Sequence, residues 1–548
     1  MIKDNRLIIL LVVFSAYIFF IGLGKMPLTD PDEVFYAETA KEMLARGEFL
    51  TPYIFGEPQF EKPPLYYWSI ILSFKAFGVN EFAARFPSAI FGILGTIGVY
   101  FLGKILVNKR TGFLAGIILA TSVGYIIIAR ACVTDMLLAV LILYVFLFFI
   151  LGMKTEKAKT KWYLLSSACV GLAILTKGPI GIFFPVVIIG LYLILTKDLK
   201  RLKEVPIFTG LLTLLGISAP WYLLMYKAHG KEFVDIFFGF HNITRFLHPE
   251  HTWGDIFYYY IPVTAVFFAF WTAFLPLGVW QTFREKEARI IKGNLFLWIW
   301  FFVIFIFFSM SRTKLPTYTF PIYPVFAIFT ARMLDVFLDR KLTRKQINTM
   351  RISIFVLFIL FIGGIIGLYV EARTEYPNIV NTAIATSIGF ALLILCSAIF
   401  FLKGEYKKSL ILFIATFLLL TPMLALVITP EIGRYEASKE VSNELLKLAA
   451  PGEKIGAETK YRRGVAFYTN TEDVPDVHKH HIITKFLREK DRVWCVLKEK
   501  NHRFLYEDRD RTFYKPTYVM YRLGKKVIVT NKILPGEKFL QIRTKNDY

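Results

Sequence analysis

Apolar runs close to the ~20 residues a helix needs to cross a bilayer recur along this chain, with 7–23, 351–370, 380–402 and 409–428 the plainest. That repetition leaves few folds open. Backbone groups facing lipid find no water to bond, so the spanning segments must be helices or a closed barrel, and runs of this length read as helices. Hydrophobic residues make up 55% of the 548, more than a soluble protein could keep from water. Spans are expected near 7–24, 82–103, 112–129, 132–152, 162–176, 179–196, 205–226, 257–280, 294–310, 318–335, 351–370, 380–402 and 409–428, about 13 in all. The first follows Lys3 and Arg6 without the short core and small-residue site of a cleaved signal, so it reads as retained. Cys132, Cys169 and Cys396 fall in apolar runs and Cys495 in the polar tail, which implies no disulfide framework.

The formal net charge of +23 would suggest nucleic acid in a soluble protein. Here the positive charge sits in short loops between apolar runs: Lys104/Lys109/Arg110, 154–161, 197–203, 284–292, 340–345 and 403–408. Such loops mark the cytoplasmic side and are drawn to anionic membrane lipids. With a cytoplasmic N-terminus they all share one side. The remaining loops, 25–81, 130–135, 176–180, 227–256, 311–317, 371–379 and the tail after 429, then lie outside together. The expected architecture is an all-α polytopic membrane domain over 1–430, with a long first external loop at 25–81, followed by a small soluble extracytoplasmic α/β domain over 431–548. In that tail DRVWCVLKEK and KKVIVTNK read as strands and Val441–Leu448 as the start of a helix.

The unusual polar residues gather in the external loops. Asp30, Pro31 and Glu33 suit the start of a helix, with Asp30 as cap, running to about Arg46 and stopped by Gly47. Its Phe35, Tyr36, Ala40, Met43 and Leu44 suggest an amphipathic helix on the membrane surface. Asp32 and Glu33 either complement the helix dipole or face a catalytic cavity. In Phe60-Glu61-Lys62-Pro63-Pro64 the prolines hold Glu61 and Lys62 in a rigid turn. Lys62 is then a snorkelling lysine or a cation for a lipid-linked phosphate. Arg130 and Asp135 occupy a span junction, where ionisable groups usually face a cavity or a partner. TKGPIG at 176–181 is a tight turn that brings Lys177 to the same face, and Arg312, Lys314 and Tyr318 lie in SRTKLPTY. Together with Lys62 and Arg245, these cations make a phosphate cradle, a strong device for stabilising a leaving phosphate. His241, His248 and His251 cluster near Glu250 and could hold a divalent metal, although no zinc-type spacing is present. Solvated loop histidines are the plainer alternative.

At Asp32-Glu33, FEKPPLYYW, Arg130 with Thr134-Asp135-Met136, TKGPIG and RTKLPTY, the chain resembles the ArnT-like, or aminoarabinose transferase, family. These are membrane glycosyltransferases of the C superfamily (GT-C type), related to protein O-mannosyltransferases. The resemblance covers about residues 1–430, and FEKPP is its most specific part. It implies a bacterial inner-membrane enzyme whose active site and C-terminus are periplasmic. It also implies a donor of undecaprenyl-phosphate-linked sugar, 4-amino-4-deoxy-L-arabinose in the first instance, and lipid A or another glycolipid as acceptor. Asp32, Glu33 and Asp135 would stand at the reaction centre. Lys62, Lys177, Arg245, Arg312 and Lys314 would hold the donor phosphate, and Glu61, Arg130 and Tyr318 would line the cavity. Two alternatives stay open: transfer of galacturonic acid or mannose, to lipid or protein, and, in a different class, a membrane transporter. Transporters place their charges at mid-membrane and often carry repeats; here the charges gather at one face and no repeat is evident.

Overall fold

The computed structural model describes residues 2–156, 158–244, 256–339, 344–507 and 516–541. It is mostly helical. The first ten helices are α1 (Ile2–Phe20), α2 (Asp32–Arg46), α3 (Leu65–Phe77), α4 (Glu81–Leu106), α5 (Lys109–Thr121), α6 (Val123–Ala129), α7 (Thr134–Lys154), α8 (Lys159–Lys177), α9 (Ile180–Leu195) and α10 (Ile207–Val234). Long apolar helices follow at Ala288–Met310, Tyr323–Leu338, Arg344–Glu375, Val380–Leu402 and Tyr406–Met423. By length and composition seven helices among the described residues could cross a membrane, or nine if each of two bent pairs is one span. The outer surface carries large apolar side chains such as Ile9, Val13, Val186, Phe208, Leu223 and Ile411, which only a lipid environment suits.

Two expected spans are not straight. Residues 112–129 are broken into α5 and α6 at an angle of 68°, because Ser122 takes an extended backbone between them. The run at 257–280 folds back as Tyr260–Phe267 and Thr272–Arg284 at 113°. Phe270 there has φ 70, and Pro276 starts the second helix, where a missing N–H costs nothing. At the end of the bundle that holds the basic 104–110 loop, Asp335 accepts from Asn108 (2.7 Å), Thr111 (3.0 Å), Arg110 and Arg332. Glu285 takes the other side of Arg332 at 2.7 Å. This network ties the start of α5, the turn after Arg284 and the Tyr323–Leu338 helix together around the buried Asp335, and losing one partner would strand a charge.

The first loop differs from its expected form in one respect. α2 does end at Arg46, and Gly47 (φ 67) donates its N–H to the Leu44 and Met43 carbonyls. However, α2 is not a membrane-surface helix with one wet side. Its acids Glu33, Glu38 and Glu42 are buried along with its apolar residues, because α3 covers one flank and the Thr459–Thr469 helix of the tail covers another. Asp30 is likewise not the cap; its Oδ2 accepts from Ser438 Oγ at 2.5 Å. A short hairpin, β1 (Tyr53–Ile54) and β2 (Glu57–Pro58), turns through Phe55 and Gly56, both at positive φ, the geometry favoured for two-residue hairpin loops.

After the last apolar helix the chain forms a four-stranded sheet from β3 (Lys454–Ala457), β4 (Val493–Lys498), β5 (Tyr518–Leu523) and β6 (Lys526–Thr530), in the order β3-β4-β6-β5. β3 and β4 are parallel and the other pairs antiparallel. β4 and β6 are central and buried on both faces. Alternate residues therefore feed two cores: Trp494, Val496 and Ile528 pack with Val441 and Leu445, while Val493, Cys495, Val527 and Val529 pack with Ile483 and Leu487.

Candidate active site

The loop before α2 is held by a buried ion pair. Arg85, near the start of α4, donates from Nε and Nη2 to the two oxygens of Glu33, each at 2.7 Å. The same guanidinium donates to the carbonyls of Leu23, Met26 and Pro27. Glu33 also accepts from Thr29 N–H and Oγ1, both at 2.9 Å, and from Cys132 N–H at 2.8 Å. Burial alone would raise the Glu33 carboxyl, but Arg85 and these donors more than reverse it, so its pKa lies below the ordinary value. Every lone-pair direction of Glu33 is engaged, which corrects its expected place at the reaction centre: it joins the first loop to α4 and to the junction before α7.

Asp32 points the other way and is exposed. Its carboxyl is nevertheless raised, first by desolvation. Arg463 opposes this, and the neighbouring carboxylates Asp135, Glu61 and Glu33 add to it. Asp32, Glu61 and Asp135, far apart in sequence, are therefore electrostatic neighbours. Asp135, in the first turn of α7, accepts from Lys177 Nζ at 2.7 Å. Lys177 is the last residue of α8. Gly178 (φ 73) reverses the chain behind it, and Gly181 packs so tightly that a Cβ there would sit 2.4 Å from the Ala173 carbonyl carbon. The sharp return of TKGPIG thus fixes Lys177 against Asp135. The ammonium also lies 5.3 Å from the centre of the Tyr318 ring, a cation–π distance.

Glu61 and Lys62 are both half-buried. Glu61 N–H donates to Gln59 at 2.9 Å, Lys62 Nζ donates to the Glu61 carbonyl at 3.3 Å, and Phe60 anchors the turn in an aromatic cluster with Phe233. Tyrosines pack beside these acids. Tyr36 packs on Tyr66 and Tyr67 with centroids 5.5 and 6.0 Å away, its hydroxyl 3.4 Å from Thr134, and Gln59 donates to Tyr67 at 2.7 Å.

The other expected residues are placed as follows. Arg130 does not pair with Asp135; Nη1 donates to the carbonyls of Ile18, Phe19 and Ile21 at 2.8–3.1 Å, capping α1. Lys314 is buried and donates to the Ser311 carbonyl at 2.6 Å, whereas Arg312 is exposed. Arg245, His248 and His251 lie outside the described residues, as does the side chain of His241. Among the described residues no group of three or more His, Cys, Asp or Glu is arranged to hold a metal ion.

Two residues of this region are not among the expected site residues. Arg463 comes from the tail helix Thr459–Thr469; its guanidinium lies 4.5 Å from the centre of the Phe35 ring and faces Asp32. Arg85 sits in an otherwise apolar helix, and that cost is the clue that could have found it.

A protein-family model described as Dolichyl-phosphate-mannose-protein mannosyltransferase matches residues 6–234. The chain is 31% identical over 443 residues to an uncharacterized protein of Aquifex aeolicus, covering 81% of this chain and 82% of that one. It is 31% identical over 400 residues to the undecaprenyl phosphate-alpha-4-amino-4-deoxy-L-arabinose arabinosyl transferase of Yersinia enterocolitica, covering 70% and 71%. In three dimensions it is similar to ArnT from Cupriavidus metallidurans bound to undecaprenyl phosphate, with a TM-score of 0.80 and 23% identity over 97% of this chain and 99% of that one.

Proposed function

The chain belongs to the ArnT-like family of polyprenyl-phosphate-sugar-dependent membrane glycosyltransferases, and from that membership we propose that it moves 4-amino-4-deoxy-L-arabinose from undecaprenyl phosphate to lipid A, with inversion at the sugar. The observation that carries the choice of sugar is the gathering of Asp32, Glu61 and Asp135 beside Lys177. A sugar bearing an ammonium group finds carboxylate acceptors there in Asp32 and Glu61, beyond the one that Lys177 engages. Transfer of mannose to protein remains the second reading, favoured by the match of residues 6–234 to the mannosyltransferase model.

In the proposed reaction the bond between the sugar C1 and the donor phosphate breaks while an acceptor oxygen bonds to C1 from the opposite face. Lys62 and Lys177 neutralise charge growing on the departing phosphate, with Arg312, Lys314 and Arg245 as further cations of the same face. If the acceptor is a hydroxyl, Asp32 takes its proton, and a raised pKa makes it the better base. If the acceptor is a phosphate of lipid A, its oxygen is already anionic and Asp32 orients the sugar amine. Arg463 restrains the Asp32 charge in either case. The finer architecture belongs to the same proposal: about 13 spans, a division near residue 430, and a periplasmic site and tail.

Donor choice tests this. Purified protein should transfer the amino sugar at least ~10-fold faster than its N-formyl form, which lacks the ammonium charge. Equal rates would remove these carboxylates from the explanation of specificity.

A further inference from the structure

A recess of about 570 Å³ opens where the tail meets the membrane helices, and Asp32 is not among the residues that line it. Its membrane-side wall is Glu375, at the end of the long Arg344–Glu375 helix, with Tyr435 and Glu436, at the end of the apolar stretch Tyr406–Glu436. The recess therefore sits at the level where those helices emerge, the depth of lipid headgroups. Among the described residues six cations line it: Lys460, Lys498, Lys500, Arg503, Lys525 and Lys526. Three acids oppose them, and each already faces a cation: Glu375 lies 2.9 Å from Lys525, Glu436 4.0 Å from Lys460, and Glu499 2.8 Å from Arg522. The N-terminal turn of the Glu499–Glu507 helix also borders the space and adds the positive end of its dipole.

We propose that this recess binds the phosphate of an anionic membrane-lipid headgroup and so fastens the tail to the bilayer surface. The walls are built rather than draped. Lys526, lowered to about 8 by burial, donates to the carbonyls of Tyr435 (2.5 Å) and Ala437 (2.6 Å). Next to Ala437, Ser438 bonds Asp30, two residues before Asp32. The recess thus shares a wall with the segment that opens α2, and a lipid held there would steady the tail helix that carries Arg463. The site stands on its own geometry and does not depend on which sugar the enzyme moves.

Native mass spectrometry of the full-length protein, released from detergent with added lipid, tests the proposal without any transfer assay. Wild type should retain phosphatidylglycerol over phosphatidylcholine, and the double variant Lys498→Glu/Lys500→Glu should bind phosphatidylglycerol at least ~10-fold more weakly. The milder Lys498→Gln/Lys500→Gln should fall between them, with thermal unfolding unchanged as a control on folding. Undiminished phosphatidylglycerol binding in both variants would overturn the site. Inorganic phosphate that competes as effectively as the lipid would overturn the headgroup assignment and leave a free phosphate as the ligand.

Discussion

At the residue scale, neighbouring acids have opposite fates. Asp32 is exposed and Glu33 is enclosed by five donors, although they are adjacent on α2. Their substitutions should therefore fail in different ways. Asp32→Asn is expected to leave the protein at normal membrane levels and thermal stability while lowering kcat by ~10²–10⁴ if the acceptor is a hydroxyl; normal transfer would remove Asp32 from the chemistry. Glu33→Gln should instead destabilise the fold by roughly 3–5 kcal/mol, since Arg85 would be left buried without its counter-charge. A loss of activity with undiminished unfolding temperature would contradict that structural role. The sequence made both acids visible but could not separate them, because their difference lies in Arg85, 52 positions from Glu33. Arg130 misled for the same reason: its partners are carbonyls of α1 more than a hundred residues away.

At the scale of elements, the turn between α8 and α9 and the packing of α2 position the site. Gly181→Val should force α8 and α9 apart and move Lys177, lowering transfer sharply; full activity would show that the close approach is dispensable. α2 also carries a pH-dependent contact. Burial raises Glu38 from 4.5 to about 7, against the opposing effect of Lys41, whose ammonium lies 3.1 Å away and also donates to the Phe467 carbonyl of the tail. A carboxyl whose folded pKa exceeds its unfolded one binds more protons in the native state, so the contribution of Glu38 to stability is fully present below about pH 4.5 and is lost as pH rises through 7. Glu38→Gln should remove that slope, giving unfolding temperatures above wild type at pH 8 and similar ones at pH 5. An unchanged slope would show that Glu38 is not the titrating group. The bounds of α2 were legible because Pro31 and Gly47 punctuate it locally. Its burial was not, because the cover is supplied by a helix more than four hundred residues later.

At the scale of the molecule, the apolar runs made the mostly helical membrane architecture legible, since a bilayer constrains the length of apolar segments along the whole chain at once. The bends at Ser122 and Phe270 escaped because each half remains apolar. The contribution of the tail escaped most completely: Arg463 reaches Phe35 and the neighbourhood of Asp32 only in the folded chain. Arg463→Ala should lower kcat by about 10-fold or more without lowering expression, whereas unchanged kinetics would confine the tail to a supporting role. In a cysteine-free background, single cysteines at Glu57 and Lys490, both exposed, should react with an impermeant reagent from the periplasmic side alone. In the proposed reaction one site removes a sugar from a lipid-borne phosphate using groups from distant parts of the chain. Reconstituted protein given undecaprenyl-phosphate aminoarabinose and lipid A tests it most directly, with both products counted by mass spectrometry. One undecaprenyl phosphate released per modified lipid A, lost together in Asp32→Asn and Lys177→Ala, is the predicted result; modified lipid A formed at the wild-type rate by both variants would contradict it.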